Sequence, residues 1–275
     1  MTELIERLKG HNTALVDGWV VAKRNLIKIK RVPDLLIFST IQPIMFVLLF
    51  AYVFGSAIQV PGGGNYREFL MAGIFTQTVA FGSSLTGMGL AEDMTKGIID
   101  RFRSLPMSRA AVLIGRTTSD LINNVLVVVV MVACGLLVGW RTHTGFIDAV
   151  AGFLLLFGFA YAMSWIAATI GLSVKSVEVA QSAGFIWMFP LTFLSNAFVP
   201  TDNMPVVLQR IADWNPVSAI VLALRDLWGN PGAQGPADGG FPVDNPGWYS
   251  LLTIGLILAV FVPLSIRAYR RAASR

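Results

Sequence analysis

Charge is what this chain has least of. Only 13% of its 275 residues are charged, about half the share of a soluble domain. With 55% hydrophobic residues and a mean hydropathy of +0.65, the fold class expected is an all-α integral membrane protein with several spans. Cysteine is nearly absent. Cys134 stands alone in the apolar run 125–138, which excludes an internal disulfide and a cysteine metal cage and reads as a small packing residue. Histidine is limited to His11 and His143, in expected loops on opposite sides of the membrane. There is no Gly-rich phosphate loop, no His-Glu-x-x-His and no Cys or His pair at metal-ligand spacing. No catalytic residue, metal site or cofactor of its own is therefore expected. A net charge of +5 suggests nucleic acid in a soluble chain, but here the basic residues sit beside apolar runs, so that class is set aside. The first 34 residues lack an apolar core long enough for a signal peptide, and no cleavage is expected.

What is present is a set of six long apolar runs. They define a transmembrane domain at 35–268, with spans expected at 35–54, 69–90, 121–140, 146–174, 180–199 and 248–266. Gln42 and Pro43 fall mid-span in the first and Pro190 lies inside the fifth; a proline removes a backbone donor and kinks a helix. Arg116 and Asp120, four residues apart, are expected to pair at the inner end of the third. The longest connection, 200–246, contains two short apolar-rich pieces, 206–214 and 217–228, divided by Asn215 and Pro216. Each is too short to span and is expected as a re-entrant or interfacial outer helix. A Gly- and Pro-rich loop follows them, and a basic tail at 267–275 follows the last span. Every Lys and Arg except Arg67, Arg141, Arg210 and Arg225 falls on the side of the two termini, so the positive-inside rule puts both termini in the cytoplasm.

The amino-terminal head, 1–34, repeats Leu15, Trp19, Ala22, Leu26 and Ile29 at helical spacing, with Lys23, Arg24, Lys28, Lys30 and Arg31 on much of the remaining surface. Such a helix lies at the membrane interface, Trp19 toward the lipid and the basic side chains against phosphates. A basic tail without a fixed pose meets the same pattern.

The connection at 93–109 is longer than a turn between spans requires. On a helix drawn through it, Met94, Ile98, Phe102 and Leu105 form an apolar edge, Lys96, Arg101 and Arg103 lie largely off it, and Pro106 ends the helical part. An aromatic residue flanked by arginines is a typical anchor at protein interfaces, so this segment is expected to dock a cytoplasmic motor protein. The competing reading is a solvated loop that only enforces topology. Two polar stripes suggest a cargo path: Gly73, Gln77, Ala80 and Ser84 on the second span, and Gln181, Phe185, Met188, Thr192 and Ser195 on the fifth. Small and polar residues serve helix packing equally well. An internal proton relay or ion filter is not expected, because no charged residue lies deep in a span.

Two stretches carry a resemblance. Gly97-Ile98-Ile99-Asp100-Arg101-Phe102-Arg103-Ser104-Leu105-Pro106, and Phe189-Pro190-Leu191-Thr192-Phe193-Leu194-Ser195-Asn196-Ala197-Phe198-Val199 with the later Asn215-Pro216, resemble the type-2 ABC exporter permeases and among them the daunorubicin-resistance, drug-exporting branch. The likeness runs over nearly the whole chain. It implies a half-transporter: two six-span permeases, here a homodimer, above two copies of a separate ABC ATPase subunit that binds ATP-Mg. It also implies that Met94, Lys96, Gly97, Ile98, Asp100, Arg101, Phe102, Arg103, Leu105 and Pro106 form the coupling segment seated in the ATPase. The function implied is permease of an ATP-driven exporter in the cell membrane, in contact with lipid, moving a hydrophobic or amphipathic drug, antibiotic or lipid outward. The alternatives are a glycan- or lipid-exporting ABC permease, a secondary transporter or a membrane enzyme.

Overall fold

The computed structural model describes residues 34–55, 58, 60, 63–98, 109–202, 204–232 and 240–272. Among these there is no strand, and the regular structure is all helical. The helices are α1 (Asp34–Leu48), extended by a π-helical turn (Leu49–Phe54), α2 (Tyr66–Thr95), α3 (Arg109–Val138), α4 (Phe146–Ser173), α5 (Val177–Phe193), α6 (Val206–Asp213), α7 (Pro216–Trp228), α8 (Phe241–Asp244) and α9 (Pro246–Ala272).

Four of them, α2, α3, α4 and α9, are long and apolar enough to cross a membrane. They differ sharply in position. The apolar window of α2 is 78% buried within the chain and that of α9 only 11%, so α2 is the axle of the bundle and α9 its outer stave. Polar residues on α2 (Thr76, Gln77, Thr78, Ser83 and Thr86) are buried, which a central helix tolerates only where neighbouring helices cover it.

The main seam of the bundle joins α2 and α4. A Cβ on Gly87 would collide with the Ala167 carbonyl, and one on Gly171 with the Gly87 carbonyl. The two backbones therefore meet directly, with no side chain between them. Higher up, Phe75, Trp140 and Trp228 pack edge to face with centroids 5.3–5.5 Å apart. Their polar ends are satisfied: the Trp140 indole donates to Asn230 Oδ1 at 2.8 Å and the Trp228 indole to the Ala149 carbonyl at 3.2 Å, as buried indoles require.

Helix boundaries depart from the hydropathy pattern in several places. The fifth helix stops at Phe193 rather than continuing to 199. Pro190 lies in its last turn, and the Asn215 amide donates to the Leu191 and Leu194 carbonyls at 2.7 and 2.6 Å. That one side chain satisfies carbonyls that a continuing helix would have used. Its Oδ1 also accepts from the Val217 amide at 2.8 Å, capping the start of α7. The third helix begins at Arg109 and takes in the Arg116–Asp120 pair, 3.0 Å from Nε to Oδ2; Trp140 falls beyond its end. The last helix runs to Ala272, so Arg267, Arg270 and Arg271 are helical rather than a separate tail. The Gly- and Pro-rich loop contains the short helix α8.

The contacts of the connecting segments define two ends. At the loop-rich end, His143 meets Glu68 at 2.9 Å, Arg67 donates to the Val138 carbonyl at 3.3 Å, and Tyr249 donates to the Trp214 carbonyl at 2.9 Å. At the opposite, basic end α2 finishes beside the α4–α5 turn and the end of α9, bringing Met94, Lys175 and Arg271 around one cleft.

Candidate functional site

Midway along the bundle, α1, α2, α3 and α5 line an open-sided cavity of about 210 Å³, with Gln42, Gln181 and Phe185 at its exposed rim. Its apolar lining includes Phe46 from α1, Phe81 from α2 and Phe185 from α5. The Phe81 ring lies 5.7 Å from Phe185 and 5.4 Å from Phe189, so the aromatic wall continues along α5. Its polar lining is dominated by carboxamides: Gln42, Gln77, Asn123, Asn124 and Gln181. No charged residue lines it. An aromatic wall with neutral hydrogen-bonding groups binds molecules with both apolar area and polar edges, and offers an ion no counter-charge.

Of the cargo-path residues expected from sequence, Gln77, Ser84, Gln181 and Phe185 lie together around this cavity. The other five lie elsewhere. A Cβ on Gly73 would collide with the Ala197 carbonyl, so the glycine lets the chain after α5 rest on α2. Ala80 and Met188 are fully buried, and the Met188 sulfur accepts from Ser84 Oγ at 3.2 Å. Thr192 Oγ1 donates back to the Met188 carbonyl at 2.7 Å, and Ser195 Oγ to the Thr192 carbonyl at 2.5 Å, finishing the helix end. The stripes thus divide between a cavity and a capped helix terminus.

Gln42, Phe46, Phe81, Asn123 and Asn124 line the cavity without having been singled out as its residues from sequence. A signal existed for the two asparagines, since adjacent amides halfway along an apolar run are costly in hydrocarbon unless something uses them.

At the basic end, a cleft of about 420 Å³ is lined by Met94 and Thr95 of α2, by Lys175, and by Ala268 and Arg271 of α9. Lys96 pairs with Glu92 one turn back, and the hydrogen bond to that carboxylate holds its ammonium above the usual lysine pKa. The helix drawn through 94–105 is interrupted. Met94 belongs to the last turn of α2, Gly97 adopts φ +65°, and helical geometry resumes at Ile98. A glycine in the left-handed region ends an α-helix, so Met94 and Ile98 do not share one continuous helical face. Asp100, Arg101, Phe102, Arg103, Leu105 and Pro106 lie outside the described residues, as do Trp19, Lys23, Arg24, Lys28, Lys30 and Arg31.

Among the described residues no group of three or more His, Cys, Asp or Glu side chains is placed to hold a metal. Of the acids at the loop-rich end, Asp213 has its carboxyl raised above the ordinary range by burial, with the charge of Asp202 adding to the effect.

Comparison with known proteins places these features. The model of the ABC-2 type transporter family matches residues 17–227. The chain is 35% identical to a daunorubicin resistance ABC transporter permease protein of Streptomyces coeruleorubidus, over 90% of this chain and 83% of the relative. It is 25% identical to a probable doxorubicin resistance ABC transporter permease protein of Mycobacterium tuberculosis, over 86% and 82%. It is also 27% identical to a probable multidrug ABC transporter permease of Escherichia coli, over 56% of this chain and 41% of that one. Membrane permeases of this kind work with an ABC ATPase partner, and the protein belongs to the ABC-2 type transporter family.

Proposed function

We propose that the protein is the permease subunit of an ATP-driven exporter, moving a hydrophobic or amphipathic drug, antibiotic or lipid outward across the cell membrane. The observation that carries this reading is the uncharged, aromatic and carboxamide-lined cavity between α1, α2, α3 and α5. It occurs in a chain whose relatives are drug-resistance permeases. Cargo enters against Gln77, Ser84, Gln181 and Phe185 and is released when the helices around it change spacing.

The working unit in this reading is a homodimer above two ATPase copies that supply ATP-Mg hydrolysis. Six spans follow if α1 with its π turn and α5 with its bent continuation cross alongside α2, α3, α4 and α9, while α6 and α7 dip into the outer leaflet and return. The charge distribution supports cytoplasmic termini: Lys96, Arg116, Lys175, Arg267, Arg270 and Arg271 belong to the basic end, while Arg67, Arg141, Arg210 and Arg225 belong to the loop-rich end. The segment 94–105 is the handle through which the ATPase acts. The uncharged cavity argues against a secondary transporter, which needs membrane-buried charge or helix breaks in repeated halves. A glycan- or lipid-exporting permease shares the architecture, and the drug-resistance relatives favour a drug. A membrane enzyme would need the outer acids Asp202, Asp213 and Asp226 in a catalytic role; here the exposed Asp202 and Asp226 are read as solvating the outer helices, and Asp213 as the buried last residue of α6.

Replacing both Arg101 and Arg103 with Glu tests the reading. Efflux from cells co-expressing the ATPase subunit should be lost, together with co-purification of the two proteins, while membrane insertion persists. Undiminished efflux by the double variant sinks the docking reading.

A further inference from the structure

At the basic end the cleft between α2, the turn after α4 and α9 carries charge of one sign only. Lys175 and Arg271 supply it, while Met94, Leu172, Val174 and Ala268 give apolar walls. No Asp or Glu lines the cleft, and the Glu92 carboxylate in the last turn of α2 is held by Lys96. Arg271 makes an interaction of its own, but a guanidinium carries five donors. A cation near a helix C-terminus answers the macrodipole, an effect confined to the last turn, which accounts for Arg271. It does not account for Arg267, a full turn earlier and exposed on the same face of α9. Two arginines four apart repel each other, and an anion between them removes that cost.

The same face of α9 continues away from these charges as a bare apolar stripe: Leu264, Val260 and Leu256 are 39%, 42% and 66% exposed. From Arg267 to Leu256 is about 16 Å along the helix, close to half of the ~30 Å hydrocarbon core. α9 is also the membrane-length helix least buried within the chain. The surface is thus complementary to a phospholipid, with cations where the phosphate lies and apolar side chains where an acyl chain lies. We propose that this cleft and the α9 face form a specific site for one anionic phospholipid, its phosphate held by Lys175, Arg267 and Arg271. A zwitterionic lipid brings its own ammonium beside the phosphate, and the three cations disfavour it. Basic residues that only set topology need neither a cleft nor a preference among headgroups.

The test titrates the full-length chain in a nonionic detergent with dioleoylphosphatidylglycerol or dioleoylphosphatidylcholine and counts bound lipid by native mass spectrometry. The native chain should take up one phosphatidylglycerol about tenfold more tightly than phosphatidylcholine. Lys175→Gln, in an exposed turn, should weaken phosphatidylglycerol about fivefold, the value of roughly one cation near an anionic headgroup, and leave phosphatidylcholine within about twofold. The Lys175→Gln, Arg267→Gln, Arg271→Gln triple variant should lose the preference altogether; the single variant decides the matter if the triple does not purify. Arg210→Gln, which removes an exposed arginine at the opposite end, should leave the preference intact. Glycerol 3-phosphate, the same headgroup chemistry without acyl chains, should not displace the lipid. Equal native uptake of the two lipids, a preference that survives the triple variant, or an equal loss with Arg210→Gln overturns the proposal. Displacement by glycerol 3-phosphate makes this a site for soluble phosphate and overturns the lipid assignment. Release of the lipid, mole for mole, when the co-expressed ATPase binds also overturns it, because the cleft then belongs to that partner. The measurement involves no transport, so its outcome is independent of the export reading.

Discussion

The guanidinium of Arg225 lies 3.5 Å from the centre of the Phe69 ring, and its Nε donates to the Phe69 carbonyl at 3.0 Å. A second donation, from Nη2 to the Asn196 carbonyl at 2.9 Å, ties α7 to the bend after α5. The residue is 1% exposed, so its charge is met by a ring face and two carbonyls. Arg225→Met removes both donations; the Phe69 carbonyl keeps its place in the α2 ladder, and the Asn196 carbonyl, outside any helix, loses its Arg225 donor at about 1–3 kcal/mol. The detergent-solubilised protein should melt several degrees lower, and Arg225→Lys, which lacks the fork, should fall between. An unchanged melting temperature for the Met variant would show that the joint is not structural.

Asn215 caps two helices with one amide group. Asn215→Asp keeps the oxygen that accepts from Val217 but loses the donor to Leu191 and Leu194, whereas Asn215→Ala loses both. The expected order of stability is native, then Asp, then Ala, with the cap itself worth about 1 kcal/mol. Thermal melts of the three proteins check it, and an Asp variant as stable as native would mean that the α5 carbonyls need no partner.

Gly87 and Gly171 form a seam in which neither tolerates a side chain. Gly171→Leu should abolish the folded, monodisperse protein, because the colliding atom is backbone and cannot rotate away. Gly255→Leu, on α9 where nothing lies near the Cβ position, should be silent. Size-exclusion profiles of the two variants are the measurement.

Arg116 and Asp120 are 17% and 12% exposed, and Arg116 also donates to the Leu85 carbonyl at 3.2 Å. Asp120→Leu alone strands a cation among apolar helices and should cost about 3 kcal/mol, while the Arg116→Leu, Asp120→Leu double variant should recover much of that loss. A double-variant melt no better than that of the single would refute the pairing as the reason these charges coexist inside the helix.

Helix existence was legible because each apolar run is long and nearly free of charge, Asp148 at the start of the fourth being the exception. Boundaries were less so, and for non-local reasons. The fifth helix stops at Phe193 because Asn215, remote in sequence, reaches back to its carbonyls. Hydropathy over 180–199 carries no trace of that bond. The interruption at Gly97 was a local signal, overridden by a spacing pattern that ran through it. Four of the nine expected cargo-path residues border the cavity, because periodicity identifies a helix face but not whether that face meets a cavity or another backbone. Gly73 and Gln77 share a stripe, yet one lies under Ala197 and the other borders open space. Asn123 and Asn124 carry no periodicity of their own within an apolar run, and only the opposing helix, whose Gly82 leaves room for the Asn124 carboxamide, shows what Asn124 meets.

The meeting of Gly87 with Gly171 also constrains how the molecule can work as a machine. A junction made of main chain holds no rotamers to flip, so α2 and α4 travel as one beam. Any stroke must be absorbed where rings and flexible side chains fill the gap, between that beam and α1 or α5. Spin labels on α2 and α4 should keep a fixed separation through the nucleotide cycle, and labels on α2 and α5 should not.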